Sequence, residues 1–182
     1  MTCIVGLRHK GSVYIGADSA AVSGDHVEAR RDKKVFVRGP YVIGGAGSFR
    51  AIDLLQYVAE LPVPIAKVDL RAFMCSHFVD ALRQCYKTAG SLQRDDGIEG
   101  IHGAFLVGVR GRLFELSYDL QVGEHYTPYS AIGCGAVYAL GAMHAMHAAR
   151  GARKPKQMVL TALGASARFC GGVRAPFVVR SV

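Results

Sequence analysis

Apolar and polar positions alternate in short runs at the start of this chain. Residues 2–7 and 12–18 are rich in β-branched and apolar side chains, and the polar turn His9-Lys10-Gly11 separates them. Two such runs joined by a Gly-containing turn predict a β-hairpin. Residues 34–38 and 41–45 predict a second hairpin, because a Gly-Pro pair marks the turn between them.

The spacing of apolar residues becomes helical after residue 48. Ile52, Leu55, Val58 and Ala59 recur at the period of an α-helix, and prolines end the run after residue 61. Proline suits the first position of a helix, so Pro155 predicts a helix start. Further helices are predicted over 70–88, 136–149 and 155–168, and further strands over 104–109, 112–117, 121–125 and 176–182.

This order places strands next to strands and helices next to helices. Such grouping predicts an α+β fold with stacked antiparallel sheets, whereas alternating strands and helices would predict a parallel sheet. Helices on both outer faces would cover the apolar side of each sheet. With 182 residues, 51% of them hydrophobic, and no Pro- or Ser-rich linker, the chain is predicted to form one domain over residues 1–182. The apolar content also favours contacts between subunits.

Composition narrows the class of protein. The five cysteines show no C-x-x-C spacing, which argues against a zinc site or a disulfide scaffold and favours a reducing, cytoplasmic environment. No apolar run approaches the roughly 18 residues that span a bilayer, and the N-terminus does not resemble a signal peptide, so no membrane association is expected. The net charge of +8 comes from scattered basic residues, densest at 30–34 and 150–156, without the interleaved aromatic residues that stack on bases. A solvated basic surface is therefore favoured over nucleic-acid binding.

Two local patterns that suggest a cofactor or a metal are incomplete. Gly133-Cys134-Gly135 follows a predicted strand, but the next glycine of a dinucleotide fingerprint would fall on Tyr138, and no βαβ unit surrounds it. His144 and His147 lie on one predicted helix without a carboxylate nearby in sequence. They are better explained as surface or interface histidines than as metal ligands.

The N-terminal pair Met1-Thr2 offers another kind of chemistry. A threonine hydroxyl is a weak nucleophile, and the free N-terminal amine that Met1 removal would expose is one recognised base for it. That amine has an ordinary pKa of about 7.7 to 8.0, and a nearby lysine ammonium would lower it towards the range in which a general base works best. A carboxylate would hold the lysine charged and oriented. The chain therefore needs an Asp and a Lys on strands adjacent to the first, and Asp18 and Lys34 are the candidates by position.

The residues around these positions form four short motifs, which are Thr-x-Ile-Val-Gly at 2–6, Gly-Ala-Asp-Ser at 16–19, Lys-Lys-Val at 33–35 and Gly-Gly-Ala-Gly-Ser at 44–48. Taken singly, Thr2 could merely permit Met removal, Asp18 could begin a turn and Lys34 could be a surface charge. Together the motifs resemble the proteasome β-subunit family, which includes bacterial HslV and short bacterial proteasome homologues. Asp18 and Lys34 follow Thr2 by 16 and 32 residues, as in that family, and residues 131–140 resemble its later Gly-Ser-Gly segment and helix.

The resemblance implies the N-terminal nucleophile hydrolase fold, a four-layer αββα sandwich of two antiparallel sheets. It also implies a threonine-type endopeptidase that forms a homo-oligomeric, stacked double ring of six or seven subunits per ring and degrades unfolded polypeptides. Because the sequence has no ATP-binding P-loop, the AAA+ unfoldase implied by this assembly would be a separate chain. Two alternatives stay open: a catalytically silent ring subunit, and a basic scaffold or nucleic-acid binder on the same fold.

The resemblance also assigns roles to residues of the site. Thr2 Oγ would attack the scissile carbonyl, Lys34 would lower local pKa values, Asp18 would orient Lys34, and the backbone N–H of Gly47 would stabilise the oxyanion. Cys134 stands where proteasomal subunits carry a Ser that hydrogen-bonds near the nucleophile's amine, and a thiol is a weaker partner. Slower or altered catalysis is the expected consequence.

Substrate and ion contacts follow from the same resemblance. Ala21, Asp32, Gly45 and Phe49 would border the primary pocket, and Val22 would pair its backbone with the substrate strand. The acid at Asp32 predicts basic or polar substrate side chains. No cofactor is required. A monovalent cation is a further possibility, held by the backbone carbonyls of a loop whose members are Ala167, Cys170 and Val173.

Overall fold

The computed structural model describes residues 1–149 and 153–182, and its architecture rests on two antiparallel sheets. A four-stranded sheet has the order β12-β1-β2-β13, and a five-stranded sheet has the order β11-β10-β9-β6-β5. The strands are β1 (Ile4–His9), β2 (Ser12–Ala17), β3 (Ala20–Ser23), β4 (His26–Ala29), β5 (Val35–Arg38), β6 (Tyr41–Gly47), β7 (Gln93–Asp95), β8 (Ile98–Gly100), β9 (Gly103–Val109), β10 (Arg112–Leu116), β11 (Val122–Gly123), β12 (Tyr129–Ile132) and β13 (Val178–Ser181).

The helices form two groups, one from each half of the chain. Helix α1 (Phe49–Asp53) continues as a π-helical segment, Leu54–Val58. The next helix consists of α2 (Leu70–Phe73), a second π-helical segment (Met74–Phe78) and α3 (Val79–Thr88). The second group is α4 (Ala136–Ala148) and α5 (Pro155–Phe169), and α5 begins with Pro155 as predicted. In the described residues no helix is long and apolar enough to cross a membrane.

Three separate apolar layers show how these elements stack. One core lies between the two sheets and includes Ile4, Ile15 and Leu106. A second, which includes Val5 and Leu163, fills the space between the four-stranded sheet and α4 and α5. A third joins the five-stranded sheet to α1, α2 and α3. The layers are therefore helix, sheet, sheet and helix, which confirms the predicted α+β sandwich.

Strand β1 illustrates why the strands read as nearly continuous apolar runs. Ile4 points into the core between the sheets, whereas Val5 and Leu7 point towards α4 and α5. Neighbouring side chains of a strand face opposite sides of the sheet, so a strand covered on both sides needs apolar residues at every position. Gly6 fits this arrangement because a Cβ there would lie 2.9 Å from the Leu113 side chain of the other sheet.

The structure contains two short hairpins that the sequence pattern did not predict. One pairs β3 with β4, and the other pairs β7 with β8. Both are two-stranded ribbons separate from the large sheets, and β4 and β7 are wholly exposed. Strands without a buried face lack the apolar alternation by which strands are recognised. The predicted strand at 121–125 shrinks to β11, and the basic group at 150–156 lies partly outside the described residues.

Glu99 of β8 joins the second hairpin to the helical layer. Its carboxylate accepts hydrogen bonds from Arg83 of α3 and from Arg94 of β7, the latter at 2.9 Å. These two guanidinium groups lower the pKa of Glu99 to about 2. Glu99 therefore contributes stability above the ordinary carboxyl pKa, and this contribution is lost as pH falls from about 4.5 towards 2.

A Glu99→Gln variant is expected to be less stable at neutral pH and to lose less stability on acidification between pH 4.5 and 2. Denaturant unfolding across that range would measure both effects. The matched control is Glu60→Gln, because Glu60 is an exposed acid. This variant should lose the same amount of stability between pH 4.5 and 2 as the unmodified protein. If Glu99→Gln and the unmodified protein lost the same amount of stability between pH 4.5 and 2, the role given to the Glu99 carboxylate would be contradicted.

Candidate active site

The first β-hairpin brings the start of the chain next to Asp18. In the register of β1 and β2, Ile4 lies opposite Ala17, so Asp18 is placed beside Cys3. Asp18 N–H donates to the Cys3 carbonyl at 3.3 Å, and Cys3 N–H donates to Asp18 Oδ1 at 3.0 Å. The residues next to Thr2 are thus held by the hairpin itself.

Lys34 reaches this position from the other sheet. It precedes β5 of the five-stranded sheet, and its Nζ atom donates to Thr2 Oγ1 at 2.9 Å and to Asp18 Oδ1 at 3.0 Å. Its side chain is 1% exposed, that of Asp18 is 0% exposed, and Thr2 as a whole is 4% exposed. The structure brings together the three residues that sequence reasoning selected. The expectation that Lys34 lies on a strand adjacent to the first was wrong, because the contact crosses between the stacked sheets.

Backbone donors fix the carboxylate of Asp18. Its Oδ1 atom accepts from Cys3 N–H as well as from Lys34, and Oδ2 accepts from the N–H groups of Ala20 at 2.9 Å and Arg174 at 3.4 Å. Four donors leave the carboxylate little freedom to rotate. Asp18 can therefore hold the Lys34 ammonium at a fixed distance from the threonine hydroxyl.

Burial lowers the pKa of Lys34 from its ordinary value, and the Asp18 carboxylate opposes this change. The folded protein therefore holds the Lys34 proton less tightly than the unfolded chain does. Just below the ordinary lysine pKa of 10.5 the unfolded chain binds more protons, so the contribution of this residue to stability rises with pH there. A cation that is desolvated and paired in this way acts strongly on the adjacent hydroxyl.

The hydroxyl of Thr2 has one donor and one acceptor partner. It accepts from Lys34 and donates to the Met1 carbonyl at 2.5 Å. The nitrogen of Thr2 is in the peptide bond with Met1 and donates to Cys134 Sγ at 3.3 Å. Met1 is 61% exposed, and its side chain packs over Gly172. The Thr2 hydroxyl therefore contacts Lys34 while Met1 is still attached.

Cys134 lies in the turn between β12 and α4. Its thiol accepts from Thr2 N–H and donates to the Thr2 carbonyl at 3.4 Å. Gly133 has a φ of +92°, and a Cβ at this position would collide with the Thr2 carbonyl. Only glycine lets this turn approach the start of β1 so closely.

Three residues that contribute to the site were not predicted from the sequence as site residues. Gly133 belongs to the incomplete dinucleotide motif and to the segment that resembles the family's Gly-Ser-Gly stretch, but neither pattern marks it as a site residue. Ser166 of α5 donates to the Gly135 carbonyl at 2.9 Å and accepts from the Cys3 thiol at 3.3 Å. Arg174 supplies a backbone donor to Asp18. Ser166 and Arg174 lie more than 150 residues from their partners Cys3 and Asp18 in sequence, and no local pattern points to such contacts.

Gly47 ends β6 with a φ of +133°, a conformation that side chains rarely tolerate. A Cβ there would lie 2.5 Å from the His102 carbonyl oxygen and 2.6 Å from Gly103 Cα. These are backbone atoms of β9 and the residue before it, so they cannot rotate away. The glycine that is predicted to supply the oxyanion donor is thus also required by the backbone.

We expect Gly47→Ala to destabilise the fold by about 2–4 kcal/mol, since strain at positive φ and a backbone clash combine. Urea unfolding would measure the loss. Gly123→Ala is the matched strand control, because a Cβ at Gly123 meets only the Glu115 carbonyl at 3.8 Å. Equal stability of the two variants would contradict the role given to the Gly47 backbone.

The residues predicted to border the substrate pocket differ in their exposure and in their distance from Lys34. The Arg30 guanidinium lies 4.5 Å from the Phe49 ring centroid, and Lys34 Nζ lies 5.9 Å from the same centroid. Asp32 is exposed and forms an ion pair with Arg30, so its charge is largely neutralised within the chain. Gly45 is buried, and a Cβ there would meet Ile52 and Phe105 at 2.7 Å.

Ala21 and Val22 lie on β3 of the separate hairpin. Both residues are half-buried, and Val22 pairs with Val27 of β4. This hairpin leads from Asp18 to Arg30, so it frames the space beside Phe49. The roles of Ala21 and Val22 in substrate binding stay predictions.

The carbonyls predicted to hold a cation lie at and after the end of α5. The Cys170 carbonyl accepts from Val173 N–H at 3.2 Å, and the Val173 carbonyl accepts from the Arg174 guanidinium at 3.0 Å. Ala167 belongs to the last turn of α5, where carbonyls lack helical partners. Two of the three carbonyls therefore already accept hydrogen bonds, and the cation site stays a prediction. The described residues contain no cluster of three or more His, Cys, Asp or Glu side chains that could hold a metal.

Several solved structures have the same fold as this chain. BPH from Thiobacillus denitrificans superposes with a TM-score of 0.81 at 24% identity, over 100% of this chain and 97% of that one. The same protein in complex with epoxomicin gives a TM-score of 0.82 at 22% identity, over 100% and 98% of the two chains. HslV from Trypanosoma brucei gives 0.70 at 18% identity, over 99% and 98%. No protein-family description and no curated protein matches the chain.

These similarities define the class of fold. The chain has the fold of proteasome-type N-terminal nucleophile hydrolase subunits, as its sequence resemblance had implied. At this level of identity the similarity concerns the fold. The chemistry has to be argued from the residues of this chain.

Proposed function

We propose that this chain is a threonine-type endopeptidase subunit whose nucleophile is Thr2 after removal of Met1. The observation that carries the proposal is the contact of Lys34 Nζ with Thr2 Oγ1 at 2.9 Å, in a site where Asp18 orients the lysine. A surface lysine or a turn-forming aspartate would not be buried in a shared network. Burying these charges is costly, and a catalytic role explains why the fold tolerates the cost.

The proposed acylation step uses the amine that Met1 removal exposes. The Thr2 amine takes the hydroxyl proton, and Oγ attacks the scissile carbonyl carbon. The Lys34 ammonium stabilises negative charge on Oγ, and Asp18 keeps Lys34 in place. The amine, now protonated, then gives its proton to the leaving nitrogen, the peptide bond breaks, and an ester to Thr2 remains.

Deacylation reverses these roles with water as the nucleophile. The amine removes a proton from water, and the hydroxide attacks the ester carbonyl. The ester C–O bond then breaks, the carboxylic acid product leaves, and the protonated amine returns its proton to Thr2 Oγ. In both steps the attacked carbonyl oxygen becomes negatively charged, and we propose that the backbone N–H of Gly47 donates a hydrogen bond to it. One preorganised donor of this kind is typically worth about 10² to 10³ in rate.

We also propose that the subunit works in a closed cytoplasmic assembly that admits unfolded polypeptides. The exposed apolar residues Val137, Tyr138 and Phe169, of α4 and α5, support subunit contact, because an exposed apolar patch marks an interaction surface. The rings of Tyr138 and Phe169 lie 5.7 Å apart and form one patch. We propose a stacked double ring with six or seven subunits per ring, fed by a separate AAA+ unfoldase.

A peptide epoxyketone tests the nucleophile and the processing together. Such a probe can react with both a hydroxyl and the adjacent free amine, so we expect one adduct on the chain that has lost Met1, seen by intact mass. Retained Met1 and no adduct would support the silent ring subunit instead. For the nucleic-acid alternative, absence of binding at low salt would exclude it, because such binding is strongest there.

Substrate preference follows from the acid beside the predicted pocket. If Asp32 borders that pocket, fluorogenic peptides with Arg before the cleavage site are expected to react up to about fivefold faster than those with Leu or Glu, the size of effect that an exposed, paired charge allows. The preference should disappear in Asp32→Asn. Equal rates for Arg, Leu and Glu in the unmodified protein would remove the idea.

A further inference from the structure

Two thiols lie together beside the Thr2 nitrogen, and the proposed hydrolysis consumes neither. Cys134 Sγ and Cys170 Sγ are 3.3 Å apart, and Cys134 Sγ is also 3.3 Å from Thr2 N. Cys134 is exposed and Cys170 is half-buried, so a small oxidant has access to the pair. We propose that Cys134 and Cys170 are an oxidation site that closes to a reversible disulfide and thereby alters the active site.

The backbone around both residues favours closure. A disulfide has an S–S length of about 2.05 Å, so the two sulfur atoms have to approach by only about 1.2 Å. Cys134 lies in the turn before α4, and Cys170 is the first residue after α5. Neither is inside a helix or strand. Cys170 N–H donates to the Ser166 carbonyl at 2.8 Å at the end of α5, so the approach falls to side-chain rotation and to the turn that holds Cys134.

The third cysteine of this region is not a competing partner. Cys3 is fully buried, its thiol donates to Ser166 Oγ at 3.3 Å, and burial raises its pKa to about 12. A thiol held in this way supplies almost no thiolate. Cys75 is exposed but belongs to the other helical layer, in the segment between α2 and α3. The pair that the geometry favours is therefore Cys134 with Cys170.

The reaction balances with a peroxide as the oxidant. The Cys134 thiolate attacks one peroxide oxygen, the O–O bond breaks, and hydroxide leaves, which gives a sulfenic acid. Cys170 then attacks the sulfenic sulfur, the S–O bond breaks, and water leaves. The two thiols lose two electrons and two protons, and hydrogen peroxide is reduced to two water molecules.

Processing of the N-terminus is expected to promote this reaction. In the present state burial raises the pKa of the Cys134 thiol, and the neighbouring Cys170 adds to that effect. Removal of Met1 would place an α-ammonium at the nitrogen 3.3 Å from Cys134 Sγ, and a nearby cation favours the thiolate. We therefore expect the Met1-free chain to oxidise faster than the chain that keeps Met1.

The disulfide would remove the hydrogen bond that the Cys134 thiol donates to the Thr2 carbonyl, because its sulfur has no S–H. The movement of Cys134 Sγ towards Cys170 would also disturb its contact with Thr2 N. This consequence rests on the proposed function, whereas formation of the disulfide does not. We expect a three- to tenfold fall in peptide hydrolysis, about the value of one hydrogen bond.

The test treats the full chain with hydrogen peroxide and measures intact mass, followed by peptide mapping under non-reducing conditions. The expected result is a loss of two hydrogens, a linked pair of peptides that contain Cys134 and Cys170, and reversal by a dithiol. Cys170→Ser and Cys134→Ser should both fail to form this link. Cys75→Ser, the control at an exposed cysteine, should form it normally.

Three results would overturn the proposal: both thiols still alkylate after peroxide, only oxygen-adduct masses appear, or Cys170→Ser loses two hydrogens to the same extent as the unmodified protein. If the disulfide forms while the reduced protein hydrolyses no peptide, the oxidation site stands and the proposed peptidase function fails. Dithiol-reversible loss of hydrolysis, present in the unmodified protein and absent in Cys170→Ser, would support both.

Discussion

A Thr2→Ala variant is expected to hydrolyse peptides at least about 10³-fold more slowly than the unmodified chain. The substitution removes the only protein atom that the proposed mechanism uses as a nucleophile, and removal of such a nucleophile has effects of this size or larger. Alanine is small, so removal of Met1 should still occur, and intact mass would verify it. The rate would be measured with a fluorogenic peptide at matched protein concentration.

Thr2→Ser is the matched control for this experiment. Serine keeps a hydroxyl beside the α-amine and within reach of Lys34, so hydrolysis should persist within about tenfold. Thr2→Ala should also fail to form the epoxyketone adduct, whereas Thr2→Ser should form it. Normal hydrolysis by Thr2→Ala would remove the mechanism, even if Met1 is cleaved in every molecule.

The second large effect is expected for Lys34→Met. This change keeps an unbranched side chain but removes the ammonium that contacts Thr2 Oγ1, so we expect a loss of activity of at least about 10²-fold. It also leaves the Asp18 carboxylate buried without its cationic partner. Breaking a buried ion pair from one side typically costs about 3–5 kcal/mol, which denaturant unfolding would measure.

A double variant separates the catalytic role of Lys34 from its structural role. Lys34→Met combined with Asp18→Asn replaces the buried pair by two neutral side chains, so part of the lost stability should return while the activity stays lost. The return is incomplete because the amide NH2 of Asn would face a backbone N–H donor in either orientation. Recovery of activity together with stability would show that Lys34 acts only through the fold. A Lys34→Met protein as active as the unmodified chain would contradict the assignment directly.

The proposed disulfide between Cys134 and Cys170 would make the site around Thr2 sensitive to oxidants. The Thr2 nitrogen contacts Cys134, and Cys134 contacts Cys170, so a change in the cysteine pair is transmitted over two short contacts to the proposed base. A serine at position 134 would be a stronger hydrogen-bond partner but could not be oxidised in this way. Cysteine at position 134 thus forms a weaker hydrogen bond than serine would, but it can be oxidised reversibly.

Sequence reasoning identified the layered fold because periodicity is a local property. Two apolar runs around a Gly-containing turn are enough to predict the hairpin of β1 and β2, and Pro155 is enough to predict the start of α5. The hairpin of β3 and β4 was missed for the same reason, since exposed strands carry no apolar alternation. Prediction succeeded for the longer elements with a buried face, such as β1, β2 and α5.

The candidate site was only partly accessible in this way. The spacing of Asp18 and Lys34 after Thr2 selected the three polar residues, which the structure shows in contact. It did not reveal that Lys34 comes from the opposite sheet, nor that Ser166 and the Arg174 backbone support the site. These contacts depend on how layers stack, and stacking joins residues that are remote in sequence.

The order of the long strands and helices, and the residue types that could act at the N-terminus, follow from local sequence alone. The contacts of Lys34 and Cys134 with Thr2, of Asp18 with Lys34 and of Cys170 with Cys134 depend on the tertiary structure. The physical reason is that side-chain periodicity is set within a few residues, whereas the separation of two side chains across a sandwich is set by the packing of all its layers.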